Sequence, residues 1–216
     1  MRNAGTCVSF LLYRQKVCVM TTIFPDVERT TKLVQGLKCP WWFAGGWALD
    51  LFLGRQTRPH KDVEIAIARA DQQHLLPLPD LAGIEFVEHH EKKSWRGKPL
   101  ELPVHELYAR FYGGAEVEVL LNEFEGADWV YRRNKNISLP KAKFAGQKFL
   151  PPEIVLLFKS KKPRAEDQQD FDAVLSHLGA PEKAWLAGSI ARDYPGHPWL
   201  AKLKGQSLSG AARGKF

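Results

Sequence analysis

Two glycines, Gly45-Gly46, are separated by fifteen residues from an acidic pair, Asp62-Val63-Glu64. On an extended segment, residues two apart project from the same face, about 6–7 Å apart along the strand. Two carboxylates held that way can share hard divalent cations, which take oxygen ligands and also bind substrate phosphates. A third carboxylate on a neighbouring strand would complete the set, and Glu116 and Glu118, again two apart, are the candidates. With magnesium ions about 3.5–4 Å apart, such a site activates an attacking hydroxyl and stabilises the leaving pyrophosphate of an in-line displacement. Positioning and charge neutralisation do most of that work, so the protein needs no nucleophile of its own. Two glycines between a strand and a helix leave the backbone open to close approach, and the free amides of the helix start suit a triphosphate. The sequence has no Walker-type G-x-x-x-x-G-K-[ST], no G-x-G-x-x-G, no H-E-x-x-H and no G-x-S-x-G, so the corresponding chemistries have no motif here.

These residues need elements to hold them. Trp41 to Ala44 reads as a buried strand that stops at the diglycine, and Trp47 to Leu53 reads as a helix that Gly54 ends. Asp62 to Ile67 alternates polar and apolar residues, as does the start of Glu116 to Leu121, so both are expected to be strands with one wet face. Ile84 to Val87 is a further strand candidate, and Glu91 to Pro103 reads as a charged loop. Upstream, Pro25-Asp26 opens a helix reaching Leu37. Downstream, Asn134 to Phe149 is basic and irregular or hairpin-like. Helices are then expected from Pro151, from Arg164 to Leu178 and from Pro181 to Ala191, with a short Pro198-Trp199-Leu200 segment after them. The expected organisation is an N-terminal extension at 1–19, with functional sequence starting near Met20. A domain at 20–133, a connecting segment at 134–150, a helical domain at 151–204 and a flexible tail at 205–216 follow. The fold class is α+β, a small mixed β-sheet with flanking helices and a helical part behind it.

Composition fits that organisation. The chain has 216 residues, 44% of them hydrophobic and 25% charged, enough apolar side chains for a core without disulfides or structural zinc. Cys7, Cys18 and Cys39 are odd in number and form no C-x-x-C pair, which points to a reducing compartment, the cytoplasm. Arg14 and Lys16 interrupt the apolar run Val8 to Tyr13, against a secretory signal. No run approaches the ~20 apolar residues of a membrane span. The net charge of +7 is unevenly placed: +4 over residues 1–40, −6 over 41–130 and +9 over 131–216. An acidic middle beside a basic C-terminal part suits a site that handles both metal ions and a polyphosphate.

The run FAGGWALDLFLGRQTRPHKDVEIAI, Phe43 to Ile67, resembles the nucleotidyltransferase superfamily with the polymerase-beta-like fold, and more closely its aminoglycoside and lincosamide branch. Gly45, Gly46, Asp62 and Glu64 match the superfamily pattern, and Gly54-Arg55, Thr57-Arg58 and His60 match the branch. Glu64 stands where the drug-modifying branch usually has Asp. The resemblance implies a polymerase-beta-like fold that binds ATP or another nucleoside triphosphate with Mg2+ and moves the nucleoside monophosphate to a hydroxyl of a small molecule, antibiotic-like in this branch. It makes Asp62 and Glu64 metal ligands and Glu118 the third carboxylate, as ligand or as base, with Asn122 the alternative occupant of that slot. Gly45, Gly46 and Arg58 would meet the triphosphate, and Lys159 stands where the superfamily often places a cation toward it, the alternative being an ordinary surface lysine. His60 either meets phosphate or orients Asp62. A degenerate relative that binds nucleotide or RNA without chemistry is the second reading. Trp47 is expected in the core, Arg132 and Arg133 in solvent, and Asp167, Asp170 and Asp172 on an exposed helix face. His89, His90 and His105 have no assigned role.

Overall fold

The computed structural model describes residues 24–89 and 91–205. The extension at 1–19, the start at Met20 and the tail from 206 onward lie outside the described residues. Helix α1 (Pro25–Leu33) starts at the proline, and strand β1 (Trp41–Phe43) follows it. Helix α2 (Gly45–Leu53) takes the two glycines into its first turn, two residues earlier than the sequence suggests, and ends on Gly54 at φ 67°. Strand β2 (Glu64–Ala68) follows, then a 3-10 turn over Arg69–Leu75. Next come β3 (Leu81–Glu88), β4 (Glu91–Trp95), β5 (Glu106–Phe111), β6 (Glu116–Glu125), β7 (Asp128–Val130) and β8 (Ser138–Pro140). The C-terminal helices are α3 (Pro152–Lys159), α4 (Ala165–Leu175), α5 (Ala180–Asp193) and α6 (Trp199–Leu203).

The strands lie in the order β1-β2-β6-β5-β3-β4, with β7 on β6 and β8 on β7. β2 and β6 run parallel, while the other pairings of named strands are antiparallel. Where the sequence suggests a loop from Glu91, β4 pairs with β3 as a charged edge strand. Such a strand lacks the apolar alternation that would mark it, because an edge exposed to water is kept polar.

Period-two alternation sends the strand residues to two cores. Ile65, Ile67, Val117, Val119 and Leu107 go to one face and meet Val34, Leu75 and Leu78. Ala66 goes to the other, where Trp42, Ala48 and Trp129 pack with Ile154, Leu157, Phe171 and Ile190 of the helical part in one cluster. Strand and helical regions therefore share this second core. Glu64 and Glu118 belong to the same face as Ala66 but sit at the strand ends, and there the sheet borders two clefts. Among the described residues no helix is long and apolar enough to cross a membrane.

Candidate active site

The parallel register sets Glu64 of β2 opposite Glu118 of β6, and the antiparallel register sets Tyr108 of β5 opposite Glu118 on its other side. Glu106, two residues before Tyr108, joins the same face. The result is a row of carboxylates across three strands. Asp62 stands at the end of this row, exposed, in the segment before β2 begins. Because regular pleating starts only at Glu64, alternation does not hold Asp62 and Glu64 to one direction.

The row separates two clefts of opposite character. One, of about 300 Å³, is lined by Gly45, Glu64, Glu106 and Phe158, and by the cations Arg132, Arg133, Lys159, Lys161, Lys162 and Arg164. The other, of about 460 Å³, is lined by Trp47, His60, Asp62, Tyr108 and Glu118, with Asp26 and Glu116 against Arg29 and Lys61. Glu64 thus opens on the basic cleft, while Asp62 and Glu118 open on the acidic one. The sequence puts Asp62 and Glu64 on one face of a strand; the structure opens them on two clefts that meet at the carboxylates.

Mutual repulsion marks the row. Burial pushes the Glu118 carboxyl up to about 8, and the charges of Glu64, Glu106 and Asp62 add to the effect. Glu64 is raised too, by burial first and by Asp62 and Glu106, against the pull of Lys159. Glu106 behaves differently. Its hydrogen bond with His105 holds it below the usual carboxylate range despite burial. Oxygen-only donors that repel one another in a partly buried place fit a hard divalent cation, which would relieve the repulsion. Among the described residues no three acidic, histidine or cysteine side chains form a ready-made metal cage. The fit to magnesium therefore rests on the oxygen chemistry of Asp62, Glu64 and Glu118 and on the facing positions of Glu64 and Glu118.

Both glycines are dictated by what leans on them. Gly45 has φ 55°, and a Cβ there would fall 1.3 Å from Glu64 Oε2. A Cβ on Gly46 would fall 2.4 Å from His60 Nδ1 and 2.8 Å from Arg58 Nη2. The space that glycine leaves is thus filled by the side chains of Glu64, His60 and Arg58. The Ala44 amide donates to the Glu64 carbonyl at 2.8 Å, tying the diglycine to β2. α2 has no side-chain cap and no acid in its first turn, which leaves its first amides suited to an anion.

Helix α2 also carries Asp50, fully buried in an otherwise apolar run. Its Oδ1 accepts from the Thr57 amide at 3.1 Å and hydroxyl at 2.6 Å, and its Oδ2 from His60 Nε2 at 2.5 Å. His60 packs against the Trp47 ring at 4.6 Å. Trp47 itself is buried, as expected of a core residue. His60 is therefore bound to Asp50 and the first turn of α2.

Arg58 donates from Nε and Nη2 to the two Asp170 oxygens at 2.8 Å each. Lys159 Nζ lies 2.5 Å from Asp167 Oδ1 and 3.1 Å from Asp170 Oδ2. Burial raises Asp167, but its hydrogen bonds from Arg164 and Lys159 outweigh this and hold it at about 2. The expectation of an exposed helix face is corrected here. Asp167 and Asp170 are buried among cations, and only Asp172 is substantially exposed. Arg132 is corrected as well: burial, then the neighbouring Arg133, brings its guanidinium down to about 10, and it lies 4.8 Å over the Phe158 ring. Asn122, the alternative to Glu118, accepts from Trp129 Nε1 at 2.9 Å and is buried, so it serves the core.

Four residues of this site were not singled out for it by sequence reasoning: Glu106, Asp50, Asp167 and Asp170. A lone acid inside the apolar run GGWALDLFL was a usable signal for Asp50. Glu106 had none, because which strand lies beside β6 is not a local property.

Comparison with known proteins agrees with this architecture. The family model described as aminoglycoside-2''-adenylyltransferase matches residues 26–138, just over half of the 216-residue chain. A lincosamide resistance protein of Staphylococcus haemolyticus is 30% identical over 76 residues, 35% of this chain. The matched part spans 44% of that relative's length. The crystal structure of ANT(2")-Ia in complex with adenylyl-2"-tobramycin has 15% identity and a TM-score of 0.50, covering 77% of this chain and 96% of that one. The solution structure of the antibiotic-resistance factor ANT(2'')-Ia, at 18% identity, also gives 0.50, covering 77% and 90%. At these identities the structural likeness concerns the fold. With the family model spanning the diglycine, the acidic pair and the strands that carry Glu106 and Glu118, the chain belongs to the aminoglycoside-2''-adenylyltransferase family.

Proposed function

We propose that this protein is a magnesium-dependent nucleotidyltransferase that moves a nucleoside monophosphate from ATP, or another nucleoside triphosphate, to a hydroxyl of an antibiotic-like small molecule. The observation that carries the reading is the row of carboxylates standing between a basic and an acidic cleft. The transfer brings a polyanionic nucleotide and a hydroxyl acceptor together over metal-binding carboxylates. The basic cleft, with Lys159, Arg132 and the open start of α2, suits the polyphosphate. The acidic cleft, with Asp62, Glu116 and Glu118, suits an acceptor that bears amino groups. Asp62, Glu64 and Glu118 would hold magnesium, which when bound neutralises phosphate charge and activates the attacking oxygen. Glu118 faces the acceptor cleft, where its carboxylate oxygen, once the cation has relieved the repulsion in the row, can take the hydroxyl proton. Gly45 keeps Glu64 against the diglycine turn, and Tyr108 shields Glu118 on the β5 side. The reaction is assigned to the cytoplasm, where ATP and magnesium are supplied, with no membrane partner.

The test is pyrophosphate release from ATP and magnesium across a panel of aminoglycosides and lincosamides, with mass spectrometry of the modified acceptor. Release that depends on one acceptor, with a gain of one nucleoside monophosphate, is expected. No release with any acceptor, together with metal-independent RNA binding, would leave a nucleotide- or RNA-binding protein without chemistry and end the enzyme reading.

A further inference from the structure

Asp170 lies on α4, outside the residues matched by the family model, yet it touches both cations that the sequence offers to the triphosphate. Its side chain is 1% exposed. Arg58 grips it with two parallel 2.8 Å hydrogen bonds, the bidentate geometry that fixes a guanidinium plane. The same guanidinium lies against Gly46, where a Cβ would meet Nη2 at 2.8 Å. One arm of Asp170 therefore reaches the diglycine turn. The other reaches the basic cleft through Lys159, whose ammonium carries three N–H donors. Two of them are directed at Asp167 and Asp170. The third remains for the cleft that Lys159 lines together with Gly45 and Glu64.

We propose that Asp170 is a positioning residue for nucleotide binding: by holding Arg58 against Gly46 and Lys159 at the basic cleft at once, it sets the diglycine turn and, beside it, the cation that receives the polyphosphate. This rests on the nucleotidyltransferase reading. It assigns the C-terminal helices a direct part in assembling the phosphate site, in addition to their part in the core. Asp167 serves the same end by holding Lys159 from the other side, while Arg164 closes the chain by donating from its amide and Nε to Asp167 at 3.0 Å each.

The experiment is isothermal titration calorimetry of the full-length chain with α,β-methylene-ATP and magnesium, comparing wild type, Asp170→Asn and Asp172→Asn. Asp172 is a control on the same helix, an exposed carboxylate paired with Lys202. Loss of the charge-assisted contacts is expected to raise the Kd of Asp170→Asn at least about tenfold, with Asp172→Asn within about twofold of wild type. A purely structural role for Asp170 would lower the fraction of competent protein, read as the stoichiometry, and leave Kd unchanged; that result overturns the proposal. Asp170→Glu retains the charge and is expected to restore part of the affinity. If Asp170→Asn fails to fold, Asp170→Ser carries the test, with at least about a tenfold rise in Kd expected from the lost carboxylate and an unchanged Kd refuting the role. Wild type that binds no triphosphate would refute the nucleotidyltransferase reading as well, whereas wild-type binding matched by Asp170→Asn refutes only the role of Asp170.

Discussion

Replacing Gly45 with alanine separates backbone strain from loss of the site. The residue sits at φ 55°, a left-handed conformation that costs a non-glycine residue roughly 1–2 kcal/mol. Gly54 sits at φ 67° and provides the control, since a Cβ there meets nothing within 4 Å. For a chain of this size, 1 kcal/mol moves the melting temperature by about 2–4 °C, so both variants are expected to melt about 2–8 °C lower. They diverge at Glu64. In Gly45→Ala the new methyl would fall 1.3 Å from Glu64 Oε2 and 2.4 Å from its Cδ, so the carboxylate must swing away. Even displacing a residue that merely supports a metal ligand costs about 10–100-fold in affinity, so Mn2+ affinity is expected to fall at least about tenfold in Gly45→Ala and to stay near wild type in Gly54→Ala. Differential scanning fluorimetry reads the first effect and calorimetric titration with Mn2+ the second. If the two variants bind Mn2+ equally well, Glu64 does not hold metal from its place on Gly45.

Three further outcomes follow from the same geometry. Asp62→Asn removes an anionic ligand while leaving the fold intact, because the side chain is exposed; pyrophosphate release should fall by at least about a hundredfold with the melting temperature unchanged, and near-normal turnover would remove Asp62 from the mechanism. Burial and the neighbouring carboxylates push the folded Glu118 carboxyl up to about 8, from an ordinary 4.5. Between those values the folded state binds more protons than the unfolded, so stability falls as pH rises. Such a shift corresponds to about 5 kcal/mol if unscreened, and solvent contact at Glu118 reduces it to about 2 kcal/mol. In EDTA, melting temperature should therefore decline more steeply from pH 5 to 8 in wild type than in Glu118→Gln, and parallel curves would contradict the repulsion within the row. Asp50→Asn weakens the three hydrogen bonds that the buried Asp50 makes to Thr57 and His60, for an expected loss of about 1.5–3 kcal/mol in denaturant unfolding; an unchanged midpoint would mean that the 54–61 loop is held elsewhere.

Sequence made the chemistry more legible than the assembly. Period-two alternation located β2 and β6, since Ile65, Ile67, Val117 and Val119 serve one core whichever strand lies beside them. Strand partners were a different matter. Glu64 faces Glu118 because β2 and β6 are parallel neighbours, and Glu106 joins them because β5 is next; nothing local in ELYARF specifies that neighbour. Asp167 and Asp170 read as a wet helix face because the nearby Lys159 and Arg164 look equally solvated in the sequence, and the cation that grips Asp170 by both oxygens is remote. That cation, Arg58, lies 112 residues away. Asp62 was expected to point with Glu64, but β2 starts at Glu64 and the two open on different clefts. Local pattern reports burial and periodicity, whereas the site depends on pairings made across the chain.

The most direct measurement is a crystal structure of the protein with α,β-methylene-ATP and magnesium. The account predicts metal density contacting Asp62, Glu64 and Glu118, with the phosphates in the basic cleft between the Gly45 turn and Lys159. Metal bound away from these carboxylates, or a triphosphate lying outside that cleft, would contradict it.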